Sequence, residues 1–227
     1  MQGFLLIDKQ QEWTSHDVVA KLRGITKIKK IGHAGTLDPF ATGLLIVGIG
    51  RSATKHLDDF HAFPKTYLAT VHLGQTSTTY DTEGEITDVN LKTKPTEQEI
   101  LEVLQNMIGA QEQLPPIYSA KKINGQKMYD LARKGIEIER KPHHITIHTI
   151  RLLSYTYPDI SIEVTCSTGT YIRTIAHDIG QKLNTGAYCS KLRRTSIGDF
   201  IVDNAKLLSD LSIDTVENLL YNIEEKK

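Results

Sequence analysis

The stretch of sequence that decides the fold runs from Gly32 to Lys55 and reads GHAGTLDPFATGLLIVGIGRSATK. It contains five glycines, one proline and a single acidic residue, Asp38, ahead of an apolar run from Leu44 to Ile49. Glycine lets another backbone or a ligand approach closely, and proline disfavours the helical conformation for the residue before it. The pattern predicts a shaped loop that presents Asp38 on a rigid turn and leads into a buried strand.

Asp38 has two interpretations at this point. An aspartate before a proline commonly accepts a hydrogen bond from a nearby backbone N–H and so stabilises a turn. A phosphate-binding loop is disfavoured, because the Lys and the Ser or Thr of the G-x-x-x-x-G-K-[ST] motif do not follow these glycines. The other interpretation is a lone carboxylate that carries chemistry.

Composition limits the class of protein. With 39% hydrophobic residues, the 227-residue chain is long enough to bury a core. Lysine plus arginine and aspartate plus glutamate both number 27, so the formal net charge is zero and does not indicate a nucleic-acid-binding protein. Any RNA site must therefore arise from local segregation of charge. Cys166 and Cys189 lack the spacing of a zinc site, and no apolar run approaches the length of a membrane span. We therefore expect no metal, no membrane association and a cytoplasmic location.

Basic residues concentrate in two segments of the chain. Residues 21–30 contain five lysines and arginines and no acid, and bases outnumber acids in residues 121–141. Such a segment is either a solvated face or a surface that contacts RNA phosphates. The first segment lies next to the Asp38 loop in sequence, which favours the phosphate interpretation.

The spacing of apolar residues predicts both helices and strands. A capping box from Thr96 to Glu99 predicts a structural helix. Thr168 or Thr170 is expected to cap a second helix, which ends near Leu183. Alternation of β-branched and aromatic residues predicts strands at residues 65–74, 145–155 and 160–166. The last two of these strands are expected to form a hairpin.

The run GHAGTLDPFATGLL at residues 32–45 closely resembles the signature of the TruB family, the tRNA pseudouridine synthases that act on the uridine at position 55 of the T-loop. A second run, STGTYIRTIAHDIG at residues 167–180, resembles the same family, and the resemblance covers about residues 3–200. It implies the α+β pseudouridine synthase fold, in which helices flank a mixed, largely antiparallel sheet with a central active-site cleft.

The resemblance also implies roles for individual residues. The family aspartate that matches Asp38 is the nucleophile, and the family tyrosine that matches Tyr67 is an active-site residue that stacks on the target base, so both are expected to be catalytic. Arg173 is the expected ionic partner of Asp38, because a carboxylate in a dry pocket needs a nearby cation to stay charged. The remaining implied residues are substrate-binding, namely His33, which wedges into the RNA loop, together with Tyr171, Leu192, Lys9 and Asp81.

For the domain organisation we expect a single catalytic domain over residues 1–227. The segment at about 115–144 resembles the RNA-gripping insertion of the family, called a thumb, although the family commonly has an arginine where His143 follows Pro142. A short helical extension is expected at about 201–227. Longer bacterial relatives continue into an RNA-binding PUA domain, which this chain is too short to contain.

The resemblance implies an isomerase that flips the target uridine out of its stack and converts it to pseudouridine. The reaction breaks the N1–C1′ bond and rejoins the base through C5, so it requires no cofactor. The expected partner is tRNA, and the chain is expected to be a monomer without an obligate protein partner. Two alternatives stay open: an RNA-binding or tRNA-folding module with little or no catalysis, and a small-molecule hydrolase with Asp38 as nucleophile, which leaves the basic segments unexplained.

Overall fold

The computed structural model describes residues 1–117, 122–123, 126–127 and 140–221. Most of the predicted insertion at about 115–144 lies outside these ranges. Contacts divide the chain into two compact units. The first unit comprises Met1–Leu68 and Leu192–Lys227, and the second comprises Ala69–Lys191.

The described chain alternates between strands and helices. In chain order the strands are β1 (Gly3–Lys9), β2 (Ile31–Ala34), β3 (Thr42–Ile49), β4 (Lys65–Leu73), β5 (Gln75–Ser77), β6 (Ile86–Asp88), β7 (Gly109–Gln113), β8 (Lys122–Ile123), β9 (Gln126–Lys127), β10 (His143–Thr156), β11 (Asp159–Cys166), β12 (Ala187–Ile197) and β13 (Phe200–Ile201). The α-helices are α1 (Ser15–Thr26), α2 (Gly50–Thr54), α3 (Glu97–Gln105), α4 (Ile172–Lys182) and α5 (Ile213–Asn218). Short 3-10 helices cover 57–62, 202–204 and 208–210.

In the first unit the apolar run predicted to be a buried strand is β3, and this prediction is confirmed. Strands β1 and β2 both pair antiparallel with β3, whereas β12 pairs with the start of β3 in parallel. The parallel pairing brings Gly43 against Arg194. Gly43 has a φ of 104°, and a Cβ atom there would lie 2.3 Å from the carbonyl oxygen of Arg194. Only glycine permits this approach.

Helix α1 begins with a complete capping box. The hydroxyl of Thr14 accepts a hydrogen bond from the backbone N–H of Asp17, and the Asp17 carboxylate accepts one from the backbone N–H of Thr14. The helix ends at Thr26, and the left-handed backbone of the C-cap residue Lys27 stops further helical hydrogen bonding. Its apolar face packs into a cluster with β1 and β3 that includes Val18, Leu22, Leu5, Ile7 and Val47.

In the second unit β10 pairs antiparallel with both β11 and β7, so the predicted hairpin is confirmed. The predicted capping box of α3 is also confirmed, with Thr96 and Glu99 exchanging hydrogen bonds. Helix α3 buries Ile100 and Leu104, the apolar positions four residues apart. Strands β5 and β6 form a separate antiparallel pair.

The predicted cap of α4 is wrong. The N-cap residue is Tyr171, and its side chain makes no capping hydrogen bond. The hydroxyl of Thr170 instead donates to the carbonyl of Ser167 at 2.8 Å, within a turn that precedes the helix. The turn places the hydroxyl of Thr170 before the helix start, so it satisfies a turn carbonyl rather than the N–H groups of α4.

The predicted α+β class is confirmed, because the sheet is mixed, most of its strand pairs are antiparallel, and helices accompany it. In the part of the chain that the structure describes, no helix has the length and apolar character needed to cross a membrane.

Candidate functional site

The Asp38 loop is held by hydrogen bonds on both sides of the aspartate. The backbone N–H of Ala41 donates to the Asp38 carbonyl at 3.1 Å and closes the predicted turn. Before it, the N–H of Leu37 donates to the Ser15 hydroxyl at 2.9 Å, and after it the Pro39 carbonyl accepts from the N–H of Glu12 at 2.9 Å. Asp38 itself is half-buried. Its carboxylate therefore stands on a backbone with little freedom to move.

Lys9 supports the same loop from inside the protein. Its side chain has no exposed surface. The ammonium group donates to the carbonyls of Trp13 at 2.7 Å, Gln10 at 3.0 Å and Pro39 at 3.3 Å. A buried ammonium needs such acceptors to offset the loss of hydration. Lys9 thus joins the end of β1 to the residue that follows Asp38.

His33 lies on β2 and is half-buried. Its ring meets the ring of His16 edge to face, with 5.5 Å between centroids. Burial lowers the pKa of His33 to about 4, and the nearby His16 and Arg194 contribute to the shift. The imidazole is therefore neutral near pH 7. Its Nδ1 is buried and has no hydrogen-bond partner within the described residues.

Arg193 and Arg194, which follow the predicted pocket residue Leu192, bind groups of the fold. Both terminal nitrogens of Arg193 donate to the carboxylate of Asp8, at 2.9 and 2.7 Å. Arg194 is 2% exposed, and it donates to the carbonyl of Leu44 at 2.8 Å and to that of Gly35 at 3.1 Å. Arg194 therefore ties β12 to the loop and strand that flank Asp38.

The other two predicted residues of the first unit lie on strands. Tyr67 is half-buried on β4, and Leu192 is 8% exposed on β12. The hydroxyl of Thr195 donates to the carbonyl of Thr66 at 3.2 Å, which links β12 to the residue before Tyr67. The first unit thus contains five of the predicted site residues, Asp38, Lys9, His33, Tyr67 and Leu192.

Arg173 and Asp81 form a buried ion pair in the second unit. The Nη1 of Arg173 lies 2.9 Å from Oδ2 of Asp81 and 3.1 Å from the carbonyl of Thr79. Oδ1 of Asp81 accepts from the N–H of Glu83 at 2.9 Å and from the hydroxyl of Thr79. These bonds offset the cost of burying two charges. Asp81, predicted as a substrate-binding residue, is here a partner of Arg173, while the pairing of Arg173 with Asp38 stays a prediction.

Tyr80 and His177 are a stacked pair that the sequence did not reveal. Their rings are nearly parallel, with 4.0 Å between centroids. Tyr80 adopts a left-handed backbone with a φ of 65°, and its carbonyl accepts from the N–H of Cys189 at 2.9 Å. Burial lowers the pKa of His177, with a smaller contribution from Arg140. Tyr80 directly precedes Asp81, and His177 lies one helical turn after Arg173 on α4.

Gln113 is a second residue that sequence reasoning missed. It is 3% exposed at the end of β7, and its side-chain amide hydrogen-bonds both the N–H and the carbonyl of Tyr171, the predicted pocket residue. A single glutamine on a strand has no sequence signal for such a contact. Within the described residues no group of three His, Cys, Asp or Glu side chains is suited to hold a metal ion.

The chain resembles known proteins over most of its length. Residues 23–172 match the family profile described as the TruB family pseudouridylate synthase N-terminal domain, and residues 173–226 match the tRNA pseudouridylate synthase B C-terminal domain. A tRNA pseudouridine synthase B of Protochlamydia amoebophila (strain UWE25) is 46% identical over 98% of this chain and 84% of its own length. One from Clostridium kluyveri (strain ATCC 8527) is 44% identical over 99% of this chain and 77% of its own.

Among solved structures, a chain of a Cbf5-Nop10-Gar1 complex is similar to this one. The two superpose with a TM-score of 0.71 and share 28% sequence identity over 93% of this chain. A chain of an H/ACA RNP bound to a substrate RNA containing 2′-deoxyuridine gives a TM-score of 0.69 at the same identity. This chain spans 54% and 52% of those two chains, about half of their length.

Proposed function

Since this chain belongs to the TruB family of pseudouridylate synthases, we propose that it is a tRNA pseudouridine synthase that isomerises the uridine at position 55 of the T-loop, with Asp38 as the nucleophile. The observation that carries the proposal is the match to relatives of that name over nearly the whole chain. The anchored turn at Asp38 supports the assignment of the nucleophile, because a reacting group must be held in a defined geometry.

In the proposed reaction Asp38 initiates cleavage of the N1–C1′ bond. The uracil then turns, a C5–C1′ bond forms, the hydrogen on C5 leaves as a proton and N1 takes up a proton, so the composition of the RNA is unchanged. An ionised carboxylate is required at the start. The predicted pairing with Arg173 belongs to the proposal, because a guanidinium beside a carboxylate keeps it charged.

The target base must leave its stack before Asp38 reaches it, and RNA-binding proteins commonly compensate that cost with aromatic stacking and base contacts. Tyr67 supplies the stacking surface in the proposal, and Tyr171 and Leu192 line the pocket. His33 fills the space that the base leaves. The neutral state of the His33 ring supports this role, because inserting an uncharged imidazole among bases avoids the cost of desolvating a cation.

Lys9 and Asp81 act through other residues in this proposal. Lys9 has no exposed surface, so it holds the carbonyl of Pro39 beside the nucleophile instead of contacting RNA. Asp81 is likewise 0% exposed and orients Arg173. In this proposal both residues, which were predicted to bind the substrate, instead hold other residues of the site in position.

Phosphate contacts are assigned to the basic segment at residues 21–30 and to the insertion. Lys21, Lys27, Lys29 and Lys30 are all exposed, which supports contact with a polyanion.

The proposal retains a single catalytic domain with an RNA-gripping insertion at about 115–144 and a short C-terminal extension. It also retains a cytoplasmic monomer that needs no obligate protein partner, which sedimentation of the active purified chain would test.

The test is tritium release from a tRNA transcript labelled at C5 of uridine. We compare the wild-type chain with Asp38→Asn and with Asp58→Asn, a control at an exposed aspartate. Release of one equivalent by wild type and control, none by Asp38→Asn, and retained RNA binding by all three support the proposal. The modified site is then mapped to position 55. No release from a T-loop RNA that binds would contradict it and favour an RNA-folding module.

A further inference from the structure

Two residues bracket the insertion and face each other across a pair of strands. Gln113 ends β7, and His143 begins β10. They are direct partners in the antiparallel register of these strands. The chain between them, residues 114–142, contains most of the segment predicted to grip RNA. The two ends of this segment therefore meet at the Gln113–His143 pair.

The Gln113 side chain holds the main chain of Tyr171 by two hydrogen bonds. Its Nε2 donates to the Tyr171 carbonyl at 3.0 Å, and its Oε1 accepts from the Tyr171 N–H at 2.8 Å. The paired donor and acceptor match the two groups of one peptide backbone, which defines the orientation of the amide. Because Gln113 is 3% exposed, water does not replace these bonds.

His143 reaches the same turn from the opposite strand. Its Nε2 donates to the carbonyl of Gly169 at 2.8 Å, and since a carbonyl only accepts, this nitrogen carries a proton. The His143 ring also meets the ring of Tyr171 edge to face, with centroids 5.9 Å apart and an interplanar angle of 89°. Backbone and ring of Tyr171 are thus contacted from both strands that carry the insertion.

The two ends of the insertion are joined to each other close to these contacts. Nη1 of Arg140 donates to the carbonyl of Pro115 at 3.0 Å, so residues two positions after Gln113 and three before His143 are connected. The charge of Arg140 also contributes to the lowered pKa of His177 on α4, behind the larger effect of burial. The hydrogen bond from Arg140 therefore joins the two ends of the insertion near Gln113 and His143.

We propose that Gln113 and His143 are positioning residues that hold the backbone and ring of Tyr171 in place from the two strands at the base of the insertion. The inference rests on the proposed function, because it takes Tyr171 to be a residue that lines the pocket for the target base. Gln113 and His143 act through Tyr171 and are not assigned a contact with the substrate.

The kinetic test uses variants that keep side-chain size. Gln113→Met removes both hydrogen bonds at equal length, and His143→Phe keeps the ring but removes the donor. Glu112→Met and His144→Phe are the controls, because these two residues are exposed and form the next cross-strand pair. We expect the test variants to lower the single-turnover rate of tritium release about tenfold, with RNA affinity changed less than about twofold.

A double-variant cycle separates this role from a general structural defect. In a Tyr171→Ala background, Gln113→Met should slow the reaction by no more than about twofold, because the ring through which it acts is absent. A full additive loss would overturn the inference. His143→Gln, which restores a donor at the position of Nε2, should recover part of the rate that His143→Phe loses, and no recovery would also count against it.

A readout without catalysis distinguishes failure of the inference from failure of the proposed function. Tyrosines are replaced by 3-fluorotyrosine, and the ¹⁹F resonance of Tyr171 is assigned with Tyr171→Phe. The resonance should shift in Gln113→Met and His143→Phe and stay in place in Glu112→Met and His144→Phe. An unmoved resonance in both test variants overturns the inference even if wild type is active. Inactive wild type with shifted resonances contradicts the proposed function and leaves the positioning geometry supported.

Discussion

Nη1 of Arg173 lies 2.9 Å from Oδ2 of Asp81, and the two side chains are 5% and 0% exposed. Two opposite charges are therefore withdrawn from water together, and their attraction offsets part of the cost of burying them. The pair joins α4 to the turn after β5. Since Arg173 lies two residues after Tyr171, the pair also fixes the guanidinium close in sequence to this predicted pocket residue.

Asp81→Asn should destabilise the protein, because it removes a buried carboxylate that neutralises the Arg173 guanidinium. Removing one member of a buried ion pair costs about 3–5 kcal/mol. Urea unfolding followed by circular dichroism measures the loss. The control is Glu163→Gln, which breaks an exposed pair with Arg151 in the same unit and should leave the unfolding midpoint nearly unchanged. Equal losses of stability in the two variants would show that burial of the Arg173–Asp81 pair adds nothing to the free energy of unfolding.

Gly43→Ala should destabilise the first unit, because its Cβ atom would lie 2.3 Å from the carbonyl of Arg194 at a φ of 104°. Overpacking of this kind costs about 1–3 kcal/mol, before backbone strain is added. Gly24→Ala is the matched control. Gly24 lies within α1 with nothing within 4 Å of the new methyl group, so alanine should stabilise by about 0.5–1 kcal/mol. Opposite shifts in the unfolding midpoint are expected.

Stability should fall as the pH drops from about 6.5 towards 4, with His33 as a contributor. The folded state lowers the pKa of His33 from 6.5 to about 4, so the unfolded chain binds more protons in that window. Above pH 6.5 the His33 ring is neutral in both the folded and the unfolded state, so it does not contribute to the pH dependence of stability. His33→Asn should flatten this part of the stability profile, whereas the exposed His144→Asn should not. A His33 midpoint near 6.5 in an NMR titration would contradict the prediction.

Lys9→Met should slow the chemical step more than it weakens RNA binding, because the ammonium holds the carbonyl of Pro39 and has no exposed surface. Lys21→Met is the comparison, since Lys21 is exposed on α1 within the basic segment. If Lys21 contacts a phosphate, its loss should reduce the slope of log affinity against log salt by about one and leave the single-turnover rate unchanged. A Lys9→Met variant that only loses affinity would rule out the supporting role.

Short-range features of the chain were predictable because the residues that form them are close in sequence. Pro39 limits the backbone of Asp38, and the turn at Asp38 is present as predicted. The Thr96 capping box and the hairpin from β10 to β11 also depend on neighbours within a few residues. The cap of α4 was mispredicted because Thr168 and Thr170 have the right chemistry for a cap, yet a turn closed by Ser167 comes first.

Sequence alone determined the family, the buried strand after Asp38 and the identity of the candidate residues, since these are encoded in contiguous runs. Only the tertiary structure decided that Lys9 and Asp81 are fully buried, that Arg194 binds the carbonyl of Leu44, and that Gln113 holds Tyr171. Such contacts join residues 58 to 150 positions apart. Their energy comes from satisfying polar groups away from water, and which groups are buried together depends on the packing of the whole chain.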